Sequence, residues 1–273
     1  MPLVTLTTDF GLDDAYVAAM KGVILSVAPG LRTVDVSHGV TPQDVMGAAF
    51  VLREAAPYFP DGTVHLAVVD PGVGTARRPI AARIGGHLFV GPDNGLFSLL
   101  LDPGSASGAG SAEPEAVVVL DRPAFWRTPE PSRTFHGRDI FAPVAAHLAS
   151  GRTLGEVGSR TDGLQRLHWV RARADAEGLQ GWVAHIDRFG NAVTNIPAAL
   201  LLAHRAGRPL KCYVGSAILT GLEETYADVE VGEPVALVGS SGWLEVGVRD
   251  GDAAALLSIH KGSAVNVVFG DRD

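Results

Sequence analysis

A single cysteine in 273 residues, Cys212, excludes an internal disulfide and fits a reducing compartment. It lies in the apolar stretch Leu210-Lys211-Cys212-Tyr213-Val214 with no histidine beside it, so a buried structural thiol is expected rather than a nucleophile. Long uncharged apolar runs are also missing, and no membrane-spanning segment is expected. Met1 to Phe10 lacks the basic stretch and long apolar core of a secretory signal, which makes a cytoplasmic location the expectation. Basic residues are in deficit, with 22 Lys and Arg against 30 Asp and Glu for a net charge of −8. A nucleic-acid or anionic-membrane surface needs a basic face, so neither partner is expected. The nine histidines show no paired spacing such as H-E-x-x-H, and no metal is expected. A Gly-x-Ser-x-Gly elbow between strand and helix is absent too, because Gly239-Ser240-Ser241-Gly242 joins two strands.

What is present suits a globular chain. Apolar residues make up 47% and charged residues 19%, enough for a sizeable core in one large domain or two ordinary ones. Val4 to Thr8 reads as a short buried strand, and Asp13-Asp14 opens a helix with acids at its positive end. Tyr16, Met20, Val23, Ile24 and Val27 recur at helical spacing until Pro29-Gly30. Thr33 to Val36 is strand-like, Asp44 to Ala55 repeats the helical pattern, and Val64 to Val69 is an almost continuous apolar strand. Strands alternating with helices imply a mostly parallel sheet covered on both faces. Gly104 to Glu115 reads as a surface insertion. Ala116 to Leu120 reads as a strand and about Asp139 to Ala149 as a helix. The pattern breaks between Gly151 and Gly178. Strands then dominate, at Gly181–Ile186, Lys211–Val214, Pro234–Val238, Trp243–Val248 and Ala264–Phe269, as in a small β-barrel. The expected architecture is an α/β domain over 1–165 followed by a β-barrel domain over 178–273.

Open α/β sheets bind ligands at the carboxyl ends of their strands, and Asp9 and Asp70 fall there. Each precedes a turn signal, so a turn or helix-cap role competes evenly with a functional one. Gly72-Val73-Gly74-Thr75-Ala76-Arg77-Arg78-Pro79 is not a dinucleotide fingerprint: Arg77 stands where the third glycine belongs, and Pro79 to Ile84 reads as a strand rather than a helix. Folded back, that loop would carry Arg77 over Asp70. His136 sits in Phe135-His136-Gly137-Arg138-Asp139 on a glycine-flanked loop with Asp139 as the expected helix cap; a lone histidine is usually a satisfied structural one, but this placement raises the case for a site residue above the usual. His185-Ile186-Asp187-Arg188-Phe189-Gly190-Asn191 ends a strand, and a hairpin turn explains it as well as a ligand contact.

Thr8-Asp9-Phe10-Gly11, Val69-Asp70-Pro71-Gly72-Val73-Gly74-Thr75, Gly91-Pro92-Asp93-Asn94-Gly95-Leu96, Phe135-His136-Gly137-Arg138-Asp139 and Phe189-Gly190-Asn191 through Thr194-Asn195-Ile196 occur in that order. Together, over nearly the whole chain, they resemble the S-adenosylmethionine (SAM) hydroxide adenosyltransferase family, hydrolytic relatives of the SAM-dependent fluorinase and chlorinase. The resemblance implies an α/β domain, a carboxy-terminal β-barrel, and a homotrimer holding SAM between one subunit's first domain and its neighbour's second. It puts Asp70, Arg77 and His136 on the catalytic positions and Asp9, beside Phe10, on the aspartate that grips the ribose hydroxyls. Asn191, Ser240, Glu245 and Val248 fall on positions lining the adenine and methionine part, and Asp187 on one placed to hold the methionine amino group. Arg249 stands where relatives often have asparagine, which puts the adenine-edge contacts there in question.

The implied reaction is hydrolysis of SAM to adenosine and L-methionine by attack of water at ribose C5′, with no cofactor. Asp70 and His136 are the candidate proton acceptors, and Arg77 holds and orients Asp70. The halogenating relatives carry tyrosine or other uncharged residues at the Asp70 and His136 positions, and an anionic carboxylate repels a halide. A chlorinase-like halogenase and a SAM- or adenosine-sensing protein with negligible turnover are the alternatives.

Overall fold

A computed structural model describes residues 2–101, 113–168 and 171–270. The expected insertion at Gly104 to Glu115 lies mostly outside them. The described residues divide into two compact units, one up to His168 and one after it.

The first unit is built on a seven-stranded sheet in the order β2-β1-β3-β5-β4-β6-β7. Its strands are β1 (Leu3–Thr8), β2 (Arg32–Ser37), β3 (Val64–Val68), β4 (Pro79–Ile84), β5 (His87–Pro92), β6 (Ala116–Val119) and β7 (Ser159–Arg160). β2, β1, β3 and β5 run parallel, while β4, β6 and β7 continue the sheet antiparallel. The change of direction has a local cause. Gly85 and Gly86, at φ 57° and 83°, close a two-residue turn of the kind that tight hairpins require, so β5 folds straight back on β4.

Alternation along the strands supplies both faces. Val4, Leu6, Val68 and Val90 pack with Met20 and Ile24 of helix α1 (Tyr16–Val27) and Phe141, Val144 and Ala145 around helix α3 (Ala142–Ala149). Ala67, Val69, Ile80 and Phe89 pack on the other face with Ala48 and Leu52 of helix α2 (Val45–Ala55). Each fully buried Leu, Ile or Phe contributes roughly 1.5–3 kcal/mol. Thr5, His65 and Phe89 share one level across β1, β3 and β5. There the buried His65 ring lies 2.8 Å from Thr5 Oγ1 and 3.3 Å from His87 Nδ1, and it stacks on Phe89.

Two helix starts differ from expectation. α1 begins at Tyr16 with Ala15 as its cap, leaving Asp13 and Asp14 outside its first turn. Asp139 caps nothing: it lies inside a π-helical turn, Gly137–Phe141, that leads into α3. At α2 the Asp44 carboxylate does cap, accepting from Gly47 N at 3.0 Å.

The second unit is an antiparallel sheet in the order β12-β11-β15-β9-β10-β14-β13, with β8 paired to β9. Its strands are β8 (Arg173–Ala174), β9 (Gly178–Ile186), β10 (Ala192–Pro197), β11 (Leu210–Val214), β12 (Ala217–Thr220), β13 (Pro234–Val238), β14 (Trp243–Val248) and β15 (Ala264–Phe269). A bridge between Glu223, just past β12, and Leu237 of β13 nearly closes it into a barrel. Leu179, Val183, Leu210, Cys212, Val246 and Val267 fill the interior. Cys212 is fully buried, and burial pushes its thiol up to about 12, the inert structural thiol expected from its surroundings.

Candidate active site

Asp70 stands where β3 ends, and the connection from it to β4 carries no helix. That connection folds back so that Arg77 Nε lies 3.0 Å from both Asp70 carboxylate oxygens while Arg77 Nη2 donates to Oδ2 as well. The same Nη2 lies 2.8 Å from His136 Nδ1. The Arg77 guanidinium rests over the Phe141 ring, 5.2 Å from its centre. The Asp70 and Arg77 side chains are only 5% and 8% exposed, so water screens their attraction little. Three side chains that the sequence places on two distant loops therefore meet.

His136 is held by its own segment. Fully buried Asp139 accepts from Arg127 Nε at 2.6 Å, Arg138 Nε at 2.7 Å and the Ser132 backbone N–H at 2.9 Å. Burial opposes its ionisation, but Arg138, Arg127 and Ser132 outweigh it and hold the carboxyl well below its ordinary value. Arg138 also covers the face of Phe135. Burial, and then the charge of Arg77, push the His136 imidazole below its ordinary 6.5, with Asp70 and Asp139 pulling weakly the other way.

Asp70 and His136 open onto a cavity of about 410 Å³ that Asp9, Phe10, Tyr16, Gln43, Val73 and Phe135 also line. Asp9 Oδ2 accepts from the Gln43 backbone N–H at 2.7 Å, and Gln43 takes a left-handed backbone at φ 66° to present it. Phe10, Tyr16 and Phe135 pack in a mutual trio with centroids 5.2–5.9 Å apart, Phe135 meeting the other two edge to face and Phe10 tilted against Tyr16. Sequence reasoning singled out Asp9 and Phe10 but not Tyr16 or Gln43. Tyr16 looked like one more apolar position on α1, and Gln43 precedes a cap with nothing to mark it.

The second unit has its own cavity, about 980 Å³, and Asp187, Asn191, Ser240, Glu245 and Val248 all line it. Asp187 also organises the β9–β10 turn: its carboxylate accepts from the backbone of Phe189 and Asn191, both at 2.9 Å, and from Asn191 Nδ2 at 3.0 Å. The hairpin reading and the lining position thus coexist. Tyr226, which sequence reasoning passed over, donates its hydroxyl to Glu245. Burial raises the Glu245 carboxyl, an effect that Tyr226 partly offsets. Arg249 lines the cavity while Nη1 donates to the carbonyls of Val229 at 2.7 Å and Ala227 at 3.3 Å. Among the described residues no three His, Cys, Asp or Glu side chains are grouped as a metal site, and no helix is long and apolar enough to cross a membrane.

Comparison with known proteins covers the same ground. Residues 4–158 match the family model described as the SAM hydroxide adenosyltransferase N-terminal domain, and residues 181–266 match that of its C-terminal domain. A Thermus thermophilus protein named (R)-S-adenosyl-L-methionine hydrolase is 41% identical, the alignment covering 96% of this chain and 97% of that one. A protein of the same name from Salinispora tropica is 43% identical, with 98% of each covered. A fluorinase from an Actinoplanes species is more distant, at 29% identity over 97% of each chain. Among solved structures, an uncharacterized conserved protein from Thermotoga maritima superposes with a TM-score of 0.88 at 35% identity, covering 97% of this chain and 99% of that one. The chain belongs to the SAM hydroxide adenosyltransferase family.

Proposed function

We propose that this enzyme hydrolyses SAM to adenosine and L-methionine, with Asp70, Arg77 and His136 directing one water at ribose C5′. The observation that carries the reading is the convergence of carboxylate, guanidinium and imidazole at a cavity that Asp9 also lines. Relatives named (R)-S-adenosyl-L-methionine hydrolase, at 41% and 43% identity, support the substrate.

Water oxygen forms a bond to C5′ as the C5′–S bond breaks, and the electron pair of that bond leaves on the neutral thioether of methionine. The sulfonium needs no acid to depart, so no cofactor enters the scheme. Positive charge gathers on the attacking oxygen, which makes its proton strongly acidic late in the reaction, and a carboxylate then suffices to take it. Fixing the water in line with the C–S bond supplies several kcal/mol, roughly 7–11 at the limit of ideal geometry.

Geometry separates the two candidate proton acceptors. A guanidinium has donors only, so His136 Nδ1 accepts from Arg77 and the neutral ring carries its hydrogen on Nε2. His136 is then a hydrogen-bond donor to the water oxygen, and Asp70 is the proton acceptor. Arg77 Nη1 is buried with no partner among the described residues, as fits a group that a water would satisfy.

In the same reading residues 1–165 carry the catalytic loops, and residues 178–273 complete the adenosine site of a neighbour in a homotrimer. Incubation with SAM in ¹⁸O-water should place the label in the 5′-hydroxyl of released adenosine. Formation of 5′-chloro-5′-deoxyadenosine in chloride, or tight adenosine retention without turnover, would replace this reading with one of its alternatives.

A further inference from the structure

We propose that His38 is a positioning residue that sets the Asp9 carboxylate for the ribose hydroxyls, an inference resting on the reading of Asp9 given above. His38 is buried, 6% exposed, at the end of β2 beside the end of β1. It holds both sides of the turn that contains Asp9. On one side its Nδ1 lies 2.8 Å from Thr8 Oγ1; on the other its carbonyl accepts from the Gly11 N–H at 2.9 Å. Thr8 Oγ1 in turn accepts from Phe10 N at 3.3 Å. Only Asp9 and Phe10, both cavity-lining, lie between the anchored residues.

The donors and acceptors run in one direction. The Asp35 carboxylate, an acceptor only, faces His38 Nε2 and assigns the ring hydrogen to that nitrogen, so Nδ1 accepts from the Thr8 hydroxyl while Thr8 Oγ1 accepts from Phe10 N. His38 Nε2 lies 3.1 Å from Asp35 Oδ1, bent from a good hydrogen-bond line, so it faces the carboxylate as an N–H dipole. Lys21 Nζ lies 2.6 Å from the other Asp35 oxygen. Both Asp35 and Lys21 are partly exposed, so the chain runs from the surface to the turn. His38 does not line the cavity itself, so any effect it has on substrate passes through Asp9 and its turn.

The test uses adenosine and 2′,3′-dideoxyadenosine as binding probes, because they differ only in the hydroxyls assigned to Asp9. In the unaltered enzyme adenosine should bind more tightly. His38→Ala should erase most of that preference and raise KM for SAM about tenfold, the loss of roughly one hydrogen bond, with kcat within about twofold. His38→Asn, whose Oδ1 can still accept from Thr8, should restore much of the preference. Thr8→Val removes the same contact from the other side and carries the test if His38→Ala does not fold. Asp9→Asn is measured in parallel. If it erases the preference while His38→Ala and Thr8→Val weaken both probes equally or lower kcat alone, the inference about His38 is overturned and the role of Asp9 stands. If Asp9→Asn leaves the preference intact, the assignment of Asp9 and this inference fall together.

Discussion

Gly74 faces the backbone carbonyl of Arg133 so closely that a Cβ on it would stand 2.4 Å from the oxygen. The contact joins the loop that carries Arg77 to the segment that leads into His136. Gly74 is also at φ +77°, a backbone that L side chains rarely adopt.

Gly74→Ala should therefore part the two loops. The expected cost is about 1–3 kcal/mol of stability and a fall in kcat of about 10-fold or more, since small misplacements of catalytic groups are expensive. Thermal melts and steady-state adenosine release measure the two effects. A variant with unaltered kcat would show that the loops are placed independently.

Asp70→Ala and His136→Ala should each lower kcat by about 10²–10⁴-fold and leave SAM affinity nearly unchanged. His136→Gln separates the two roles the imidazole could play, because its amide nitrogen can replace an Nε2–H donor but cannot take up a proton. Partial recovery in His136→Gln relative to Ala is expected; activity as low as Ala, with the fold intact, would return His136 to the role of base.

Arg77→Lys keeps the charge but loses the fork that reaches Asp70 and His136 at once. A lysine offers a point charge in place of a planar pair of donors, so kcat should drop about 10²-fold. The pH at which activity fades in acid should also move upward, because burial and the charge of Arg77 beside its ring lower His136, and a lysine, which lacks the reach to Nδ1, sets that charge farther away. In the unaltered enzyme the acidic loss of rate belongs below 6.5, the ordinary value from which His136 is lowered. A pH–rate profile for both proteins decides it.

Much of this site was legible in the residues, for physical reasons. Asp9 and Asp70 end strands of a parallel sheet, where an α/β layer leaves its strand ends open. Pro79 after the glycine-rich stretch argued against a helix, which is why Arg77 was free to turn back. The strand His87–Pro92 is as long as β1 and β4 but escapes the sequence reading, because it ends in Gly91-Pro92 and only the Gly85-Gly86 turn marks its start. With it went the antiparallel half of the first sheet. Asp139 looked like a cap because it stands where a helix begins; its three donors come from positions that no local pattern connects. Gln43 and Tyr226 face their cavities by tertiary placement alone, which periodicity does not encode.

His65 makes stability fall in acid. Burial, and then the charge of His87, lower its pKa in the native state from 6.5 to about 3. Between those values the unfolded chain takes up a proton that the native chain refuses. Its contribution is thus fully present above pH 6.5 and is lost as pH falls toward about 3, at about 1.4 kcal/mol per pH unit for one proton. His65→Leu should be less stable at pH 7, having left Thr5 without its partner, yet lose less on going to pH 5. Urea midpoints at the two pH values test this; equal acid losses in both proteins would exclude His65 as the cause.

The helix-free link from β3 to β4 has a consequence for how such a fold changes over time. Neither core layer draws on Pro71 to Arg78 for packing. Gly74, Arg77 and Arg78 are held by specific contacts, but substitutions at the cavity-lining Pro71 and Val73 should alter the surroundings of the nucleophile while costing the scaffold little, so new chemistry is open to this architecture without prior stabilising mutations.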